Sequence, residues 1–492
     1  MKTTLLLLII STGVYAQSGF AKFISYLYSI SDPAVRTEKI DSFMLAHKAS
    51  GFPVIDGDSA NFIYRGSAST VTVAGDFNGW SSSSAAMSKV QSTNFFYYSR
   101  EFEMNARIDY KFVTNGSSWI LDPLNPRTCA GGFGPNSELA MPHYVQPLEI
   151  IYNPAVPHGR IITTSLQSTN TSSSFQIKIY LPPGYDSLSA DRYSAVYFQD
   201  GYEYIDLAYA VNVLDNLIAA GDIAPVIGVF VRPNNRNNEY AGTLRSAYKN
   251  FFVSELVPYI DTNYKTISSA AKRLVLGDSY GGNISAFIAY HHPDVFGNCG
   301  VHSGAFQPNS YEVYNLFVNN PALNVRFVSV WGTYESLFTN MRMFRDNLIS
   351  KGYFFKWLEL PEGHSWGLWR ATLDYILVNI FPPATSIDKG EPYISGRISL
   401  VSYPNPFTET AHISYTVRGT EENNEPAAVT LAVYDLLGRE ITELVNTTRM
   451  PGTYEVEFNP GSINAETAVS GVYILRLNVN QEVITKKILF IK

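Results

Sequence analysis

The sequence predicts an α/β fold, a doubly wound and mostly parallel sheet, flanked by an N-terminal and a C-terminal β-sandwich. Three observations carry this. From about Leu148 to Pro383, compact apolar runs alternate with helical stretches. Before and after that segment, short alternating strands are punctuated by Gly, Asn and Asp. A polar stretch with Gly and Pro, residues 384–397, separates the last part as a linker. At 492 residues the chain is too long for one domain.

The elements follow in chain order. Lys2, the apolar run Leu5 to Ile10 and the small-residue end Val14-Tyr15-Ala16 read as a signal peptide over 1–16, cleaved after Ala16. Its apolar run is too short to span a bilayer, and no other segment is long enough, so the mature protein is expected to be exported without a membrane span. Residues 17–51 place Phe20, Phe23, Ile24, Leu27, Ile40, Phe43 and Met44 at helical spacing. Residues 52–147 alternate as strands at Thr70–Ala74, Phe95–Tyr98 and Ile108–Val113, with turns at Gly75-Asp76, Asn78-Gly79 and Asn115-Gly116. Residues 148–383 carry the buried-strand runs Ser194–Phe198, Pro225–Val231, Arg273–Leu276 and Arg326–Val330. Helices are expected over Ala208–Ala220 and Phe251–Tyr259. Residues 398–492 return to strands at Ile413–Val417, Val429–Tyr434 and Val472–Leu477.

Composition narrows the function. A net charge of −7 gives no broad basic face for nucleic acid or anionic membrane. Aromatic residues are many, 33 Tyr and 29 Phe, which suits a β-rich chain with aromatic-lined surfaces. Two cysteines, Cys129 and Cys299, exclude a disulfide framework. Cys299 reads as a buried free thiol, an inter-domain bridge being the alternative.

The chemistry concentrates at Leu274-Val275-Leu276-Gly277-Asp278-Ser279-Tyr280-Gly281-Gly282. An apolar strand ends in G-x-S-x-G and a small-residue helix follows, which is the setting of a nucleophile elbow. The turn is sharp and demands glycine on both sides, and the Tyr280 N–H can donate to an oxyanion. A serine needs a histidine base, and the base needs a carboxylate. In α/β-hydrolases the order is Ser, acid, His. Glu335 follows the strand Arg326–Val330, and His364 follows the apolar stretch Phe354–Leu360. Asp346 is the rival acid but falls in a helical stretch. Of the other histidines, His302 follows a strand and is a candidate for lining the cleft. A second oxyanion donor is expected at Tyr202, in the loop Gln199-Asp200-Gly201-Tyr202, where Gly201 permits close backbone approach.

With these residues in place, 148–383 resembles the esterase D-like α/β-hydrolases, which include ferric enterobactin esterases and the feruloyl and acetyl-xylan esterases of carbohydrate esterase family 1. The likeness runs through Leu181–Tyr185, Gln199–Gly201, Arg236 with Glu239-Tyr240, Glu255–Ile260, the elbow, and Glu362–Trp366 with Trp369. The family's acid is more often Asp; here it is Glu335. The resemblance puts Asp200, Gly201, Arg236, Trp366 and Trp369 on the substrate side, with Tyr202, Tyr280 and the two tryptophans lining an aromatic acyl pocket. It implies no metal and no organic cofactor.

Residues 52–143 resemble the early-set sandwich of family 48 carbohydrate-binding modules, through Ala74–Trp80, Tyr110–Val113 and Trp119–Pro123. The resemblance implies a sugar platform of Trp80, Lys111 and Trp119; core or interface packing of the two indoles is the alternative. Residues 398–492 resemble the C-terminal sorting domain of type IX secretion, through Tyr403–Phe407, Val433–Arg439, Pro451–Tyr454, Ser470–Tyr473 and Lys486–Ile488. That implies a Bacteroidetes-type cell whose secretion machinery places the protein outside, released or surface-attached. The combined expectation is a secreted serine esterase acting on ester groups of plant cell-wall polysaccharides, feruloyl esters first. Siderophore trilactones and acetyl-xylan are the rival substrates, Arg232, Arg236 and Arg245 being available to an anionic catecholate. A surface glycan-binding protein is the non-enzymatic alternative.

Overall fold

The computed structural model describes residues 19–382 except 133, and 398–490 except 404–406, 418–425, 436–437, 451, 464–469 and 481. The signal peptide and the whole of the 383–397 stretch that includes the linker lie outside the described residues, 398 opening the next strand. The chain divides into two compact units, 1–383 and 384–492.

The first unit opens with α1 (Gly19–Ser29) and α2 (Pro33–His47). Asp32 caps α2 by accepting the Ala34 N–H at 2.8 Å, with Pro33 at the first helical position. The helices do not stand alone. Phe20, Ile24, Leu27 and Ile40 bury against Phe52, Ile63, Val90 and Phe95 of the sandwich that follows. That sandwich comprises β1 (Val54–Asp56), β2 (Ser59–Arg65), β3 (Val71–Gly75), β4 (Ser88–Lys89), β5 (Phe95–Glu101), β6 (Arg107–Thr114), β7 (Ser118–Ile120), β8 (Thr128–Cys129) and β9 (Asn136–Ala140). One sheet has the order β1-β2-β5-β4 and the other β3-β6-β9-β8, with β7 on β6. Phe62, Val73, Phe96, Ile108, Tyr110 and Phe112 fill the space between them.

The α/β domain follows: β10 (Arg160–Ser168), β11 (Ser173–Leu181), β12 (Ser194–Phe198), α3 (Gly201–Asp206), α4 (Ala210–Ala220), β13 (Val226–Val231), α5 (Arg236–Tyr240), α6 (Arg245–Asn250), α7 (Val257–Asn263), β14 (Arg273–Asp278), α8 (Tyr280–His291), β15 (Asn298–His302), α9 (Pro308–Asn319), β16 (Arg326–Gly332), α10 (Phe338–Ser350), β17 (Phe355–Leu360) and α11 (Trp366–Ile380). Eight strands form one sheet in the order β10-β11-β13-β12-β14-β15-β16-β17. The β10–β11 hairpin is antiparallel and the other six strands run parallel. This is the doubly wound α/β-hydrolase arrangement. Strands β13, β14 and β15 are buried along their whole length, β13 as its continuous apolar run requires. Helices cover both faces: Phe252, Ile284, Phe317 and Phe344 pack on one side, Leu214, Leu373, Ile376 and Leu377 on the other. The register aligns Asp278 with His302, His302 with Val330, and Gly332 with Leu360, so these strand exits share one edge.

One helix differs from expectation. Over Phe251–Leu256 the backbone widens into a π-helix before α7 begins. Pro258 has no N–H to donate to the turn before it, and its ring crowds the carbonyl four residues back, so a regular α-helix cannot run through 251–259.

The second unit contains β18 (Ile398–Tyr403), β19 (Ala411–Val417), β20 (Ala427–Tyr434), β21 (Glu440–Arg449), β22 (Gly452–Phe458), the short α12 (Pro460–Ile463), β23 (Gly471–Val479) and β24 (Glu482–Phe490). Its sheets, β18-β19-β22 and β21-β20-β23-β24, enclose Phe407, Ile413, Leu431, Val433, Leu475 and Phe490. Cys129 and Cys299 are both buried and free, so no bridge joins them. Burial pushes both thiols up, that of Cys129 to about 11.

Candidate active site

Ser279 stands between β14 and α8 with φ 53° and ψ −118°. A non-glycine residue in this region costs about 1–3 kcal/mol and persists only where its surroundings impose it. Here the Ser279 N–H donates to the His302 carbonyl at 2.9 Å, and its carbonyl accepts from Asn283 and Ala305 at 3.2 and 3.0 Å. Gly277 is obligatory, since a β-carbon there would overlap the Gly281 backbone. Tyr280 opens α8, where first-turn N–H groups have no intrahelical acceptor.

Two strand exits along, Glu335 follows β16; beyond it, His364 follows β17. His364 Nδ1 and Glu335 Oε2 lie 2.5 Å apart. The other Glu335 oxygen accepts the Gly332 N–H at 3.0 Å, which fixes the carboxylate. The Glu335 side chain is fully buried, whereas His364 keeps 35% exposure. Asp346 lies on α10, 63% exposed and paired with Arg345. A relay of contacts joins the base to the strand beside the nucleophile: the His364 ring meets Trp369 edge-on at 5.1 Å, and Trp369 Nε1 donates to Ser303 Oγ at 3.0 Å, next to His302 at the end of β15.

The Gln199–Tyr202 loop leaves β12 through Asp200, at φ 50°. Tyr202 lies in the first turn of α3, so its N–H also lacks an intrahelical acceptor. Its ring packs against Lys178 Nζ, 4.2 Å from the centroid, and Arg232. Two expectations for this loop are corrected. Asp200 is only 2% exposed and takes a two-pronged bond from Arg236, Nε to Oδ1 at 2.8 Å and Nη2 to Oδ2 at 2.7 Å. Arg236 also reaches Asp278 Oδ2 at 3.5 Å. Asp200 therefore braces the elbow instead of facing substrate, and Arg236 braces it while its side chain keeps 35% exposure. Burial raises the Asp278 carboxyl well above the usual range, with neighbouring Asp200 adding to it. Gly201 does permit a close approach, but to the Phe230–Val231 backbone of β13.

Trp366 and Trp369 are 7% and 4% exposed and belong to the core between sheet and helices, Trp366 packing on Tyr204 and Trp369. The aromatic acyl pocket loses these two walls. His302 is likewise no cleft residue. It is buried between Tyr204 Oη at 2.8 Å and Thr372 Oγ1 at 3.3 Å, and burial pushes its pKa down to about 3. In the sandwich, Trp80 spends its Nε1 on buried Asp76 at 3.0 Å, which fits the packing alternative. Trp119 is 46% exposed and shares a sheet face with Lys111, since it pairs with Val113 two residues on. Sequence reasoning missed the Asp200–Arg236–Asp278 cluster, although all three residues lay inside recognised motifs. Among the described residues, no group of His, Cys, Asp or Glu is placed to hold a metal ion, and no helix is long and apolar enough to cross a membrane.

A strained serine elbow at the exit of a central parallel strand, with a carboxylate–histidine pair at later exits, defines an α/β-hydrolase. Residues 168–347 match the family model described as "Putative esterase". Over that stretch the chain resembles the esterases, a class of carboxylic ester hydrolases. Residues 401–492 match the secretion system C-terminal sorting domain, which indicates export to the cell surface or the extracellular space. The uncharacterized protein YjcH of Bacillus subtilis is 31% identical over 149 residues, 29% of this chain and 61% of YjcH. An endo-1,4-beta-xylanase/feruloyl esterase of Xylanibacter ruminicola is 29% identical over 164 residues, 31% of this chain and 23% of that protein. The match thus spans less than two thirds of either relative. Among solved structures, the enterobactin esterase of Shigella flexneri superposes with a TM-score of 0.56 at 20% identity, covering 65% of this chain and 92% of that one. The ferric enterobactin esterase of Salmonella typhimurium gives 0.57 at 19% identity, over 65% and 93%. That likeness is one of fold.

Proposed function

We propose that the chain is an exported serine esterase that cleaves ester groups on plant cell-wall polysaccharides, feruloyl esters first. The observation that carries this reading is the 2.5 Å Glu335–His364 pair on the strand edge that holds the strained Ser279. Glu335 accepts the Nδ1 proton and leaves Nε2 free to take the Ser279 hydroxyl proton. Ser279 Oγ attacks the ester carbonyl carbon, and the Tyr280 and Tyr202 N–H groups receive the oxyanion. Each such donor contributes about 2.7–4 kcal/mol at the transition state. His364 returns the proton to the departing alcohol. It then deprotonates a water that releases the acyl group and restores Ser279.

Two findings favour feruloyl esters over siderophore trilactones. One relative carries a feruloyl esterase in its name, beside a xylanase. Of the three arginines considered for an anionic catecholate, Arg236 is committed to Asp200 and Arg245 to Glu312, at 2.7 and 3.0 Å. The test is release of ferulate and acetate from arabinoxylan by the wild type and Ser279→Ala. Ferulate release lost in the variant supports the reading. Acetate alone moves the substrate to acetyl-xylan. Neither product, with p-nitrophenyl esters still cleaved, rejects cell-wall esters and leaves the serine mechanism.

A further inference from the structure

The loop that carries His364 is built against the N-terminal sandwich on both sides. Ahead of the histidine, the Arg107 N–H donates to the Pro361 carbonyl at 3.1 Å. Behind it, the Arg107 guanidinium reaches Ser365 Oγ at 3.4 Å, and a β-carbon at Gly367 would overlap that guanidinium. Next to the histidine itself, a β-carbon at Gly363 would overlap the Asp76 carboxylate. Asp76 is held in turn by the Asp109 N–H at 2.8 Å and by Trp80 Nε1. The acid is gripped in the same way. Tyr334, adjacent to Glu335, donates its hydroxyl to Glu103 at 2.6 Å and packs against the sandwich core. The Ser279 backbone, by contrast, is held by His302, Asn283 and Ala305 of the α/β domain.

Arg107 is fully buried. Its charge is met by Asp109 and Glu138, each at 2.8 Å, and by Glu362 at 3.6 Å, while Glu138 also accepts from Arg370 of α11 at 2.9 Å. A junction needed only for cohesion could be apolar, because replacing buried ion pairs with well-packed hydrophobic residues is often neutral or stabilising. A guanidinium is different in kind: its planar fork fixes direction as well as distance. We infer that the sandwich is part of the acid–base apparatus, with Arg107 and Asp76 as positioning residues that set where His364 stands relative to Ser279. This rests on the reading of His364 as the base. Its consequence is that turnover of even a small ester, which no carbohydrate module would need to capture, depends on the sandwich.

The test uses the full chain and p-nitrophenyl acetate. A displacement of about 1 Å costs about 10²-fold in rate. Gly363→Ala, which pushes Asp76 off the loop, should therefore lose about 10²-fold in kcat with KM within about twofold and a cooperative thermal transition. Adding Asp76→Gly, which vacates the space, should recover at least about tenfold of that loss. Arg107→Lys, which keeps the charge and loses the fork, should lower kcat about tenfold or more and shift the pH–rate profile. Gly363→Ala and Arg107→Lys enzymes with wild-type kcat, beside an inactive His364→Ala, overturn the positioning role. So does a folded double variant as slow as Gly363→Ala. A His364→Ala enzyme that keeps its turnover overturns the underlying reading instead.

Discussion

Two buried charge clusters flank the candidate triad, and they are built differently. Beneath the nucleophile, Arg236 clamps Asp200 and Asp278, which lie two residues before Tyr202 and Tyr280 respectively. One fork thus ties together the two loops proposed to supply the oxyanion donors, all within the α/β domain. Behind the histidine, Arg107 joins two domains, and its third partner is poorly served. Glu362 is 1% exposed, has no hydrogen bond on either carboxylate oxygen, and faces Arg107 only at 3.6 Å. The first cluster is a local brace. The second is a joint in which one member's charge is barely supported, so protons can act on it.

Ser279→Ala sets the scale of this comparison: kcat should fall by about 10⁶, as for other serine nucleophiles, with unfolding unchanged or improved because the strain at φ 53° is unrelated to the hydroxyl. Glu335→Gln should cost about 10⁴ in kcat, by favouring the wrong tautomer of His364. A Glu335→Gln enzyme that keeps the wild-type rate would show that the base does not need its acid.

Arg236→Met tests the local brace. It leaves two buried carboxylates without their cation, so a loss of about 3–5 kcal/mol in urea unfolding is expected, together with reduced kcat. A stability change below about 1 kcal/mol would mean the two carboxyls already share a proton and need no arginine.

Glu362→Gln tests the joint. Burial pushes the Glu362 carboxyl up to about 7, with Arg107 pulling against it. The folded state therefore binds this proton more tightly than the unfolded chain, whose glutamate titrates near 4.3. The resulting stability is fully present below about pH 4 and is lost as pH rises through 7. Subtracting the variant's unfolding profile from the wild type's should expose this decline, about 4 kcal/mol in size. A flat difference profile between pH 4 and 8 would show that Glu362 is charged throughout. Trp119→Ala lies outside both clusters and should leave p-nitrophenyl acetate turnover within about twofold, weakening retention on arabinoxylan by about 1 kcal/mol at most. Unchanged retention would remove the sugar-platform reading.

What could be read in the sequence was what depends on neighbours along the chain. The elbow was legible because Gly277 and Gly281 sit two residues either side of Ser279 and the steric demand between them is local. Glu335 and His364 were legible because parallel strands deliver their exits to one edge in order. Trp366 and Trp369 were misread because an indole near a catalytic histidine has the same letter whether it faces the cleft or the core. Asp200 and Arg236 stood inside a recognised motif, but their pairing spans 36 residues and no periodicity encodes it. The Arg107–Ser365 contact spans 258 residues. The π-helix at Phe251–Leu256 followed from Pro258, a signal that was present and unused.

The two free, buried cysteines bear on life outside the cell. An extracellular enzyme usually gains covalent cross-links where oxidants are plentiful. This chain, whose sorting domain indicates export, has no bridge between Cys129 and Cys299. Its persistence among foreign proteases is then a question of kinetics, set by how rarely the folded chain opens. Reductants should leave that lifetime untouched, while any treatment that speeds opening would expose both thiols together and make the damage permanent.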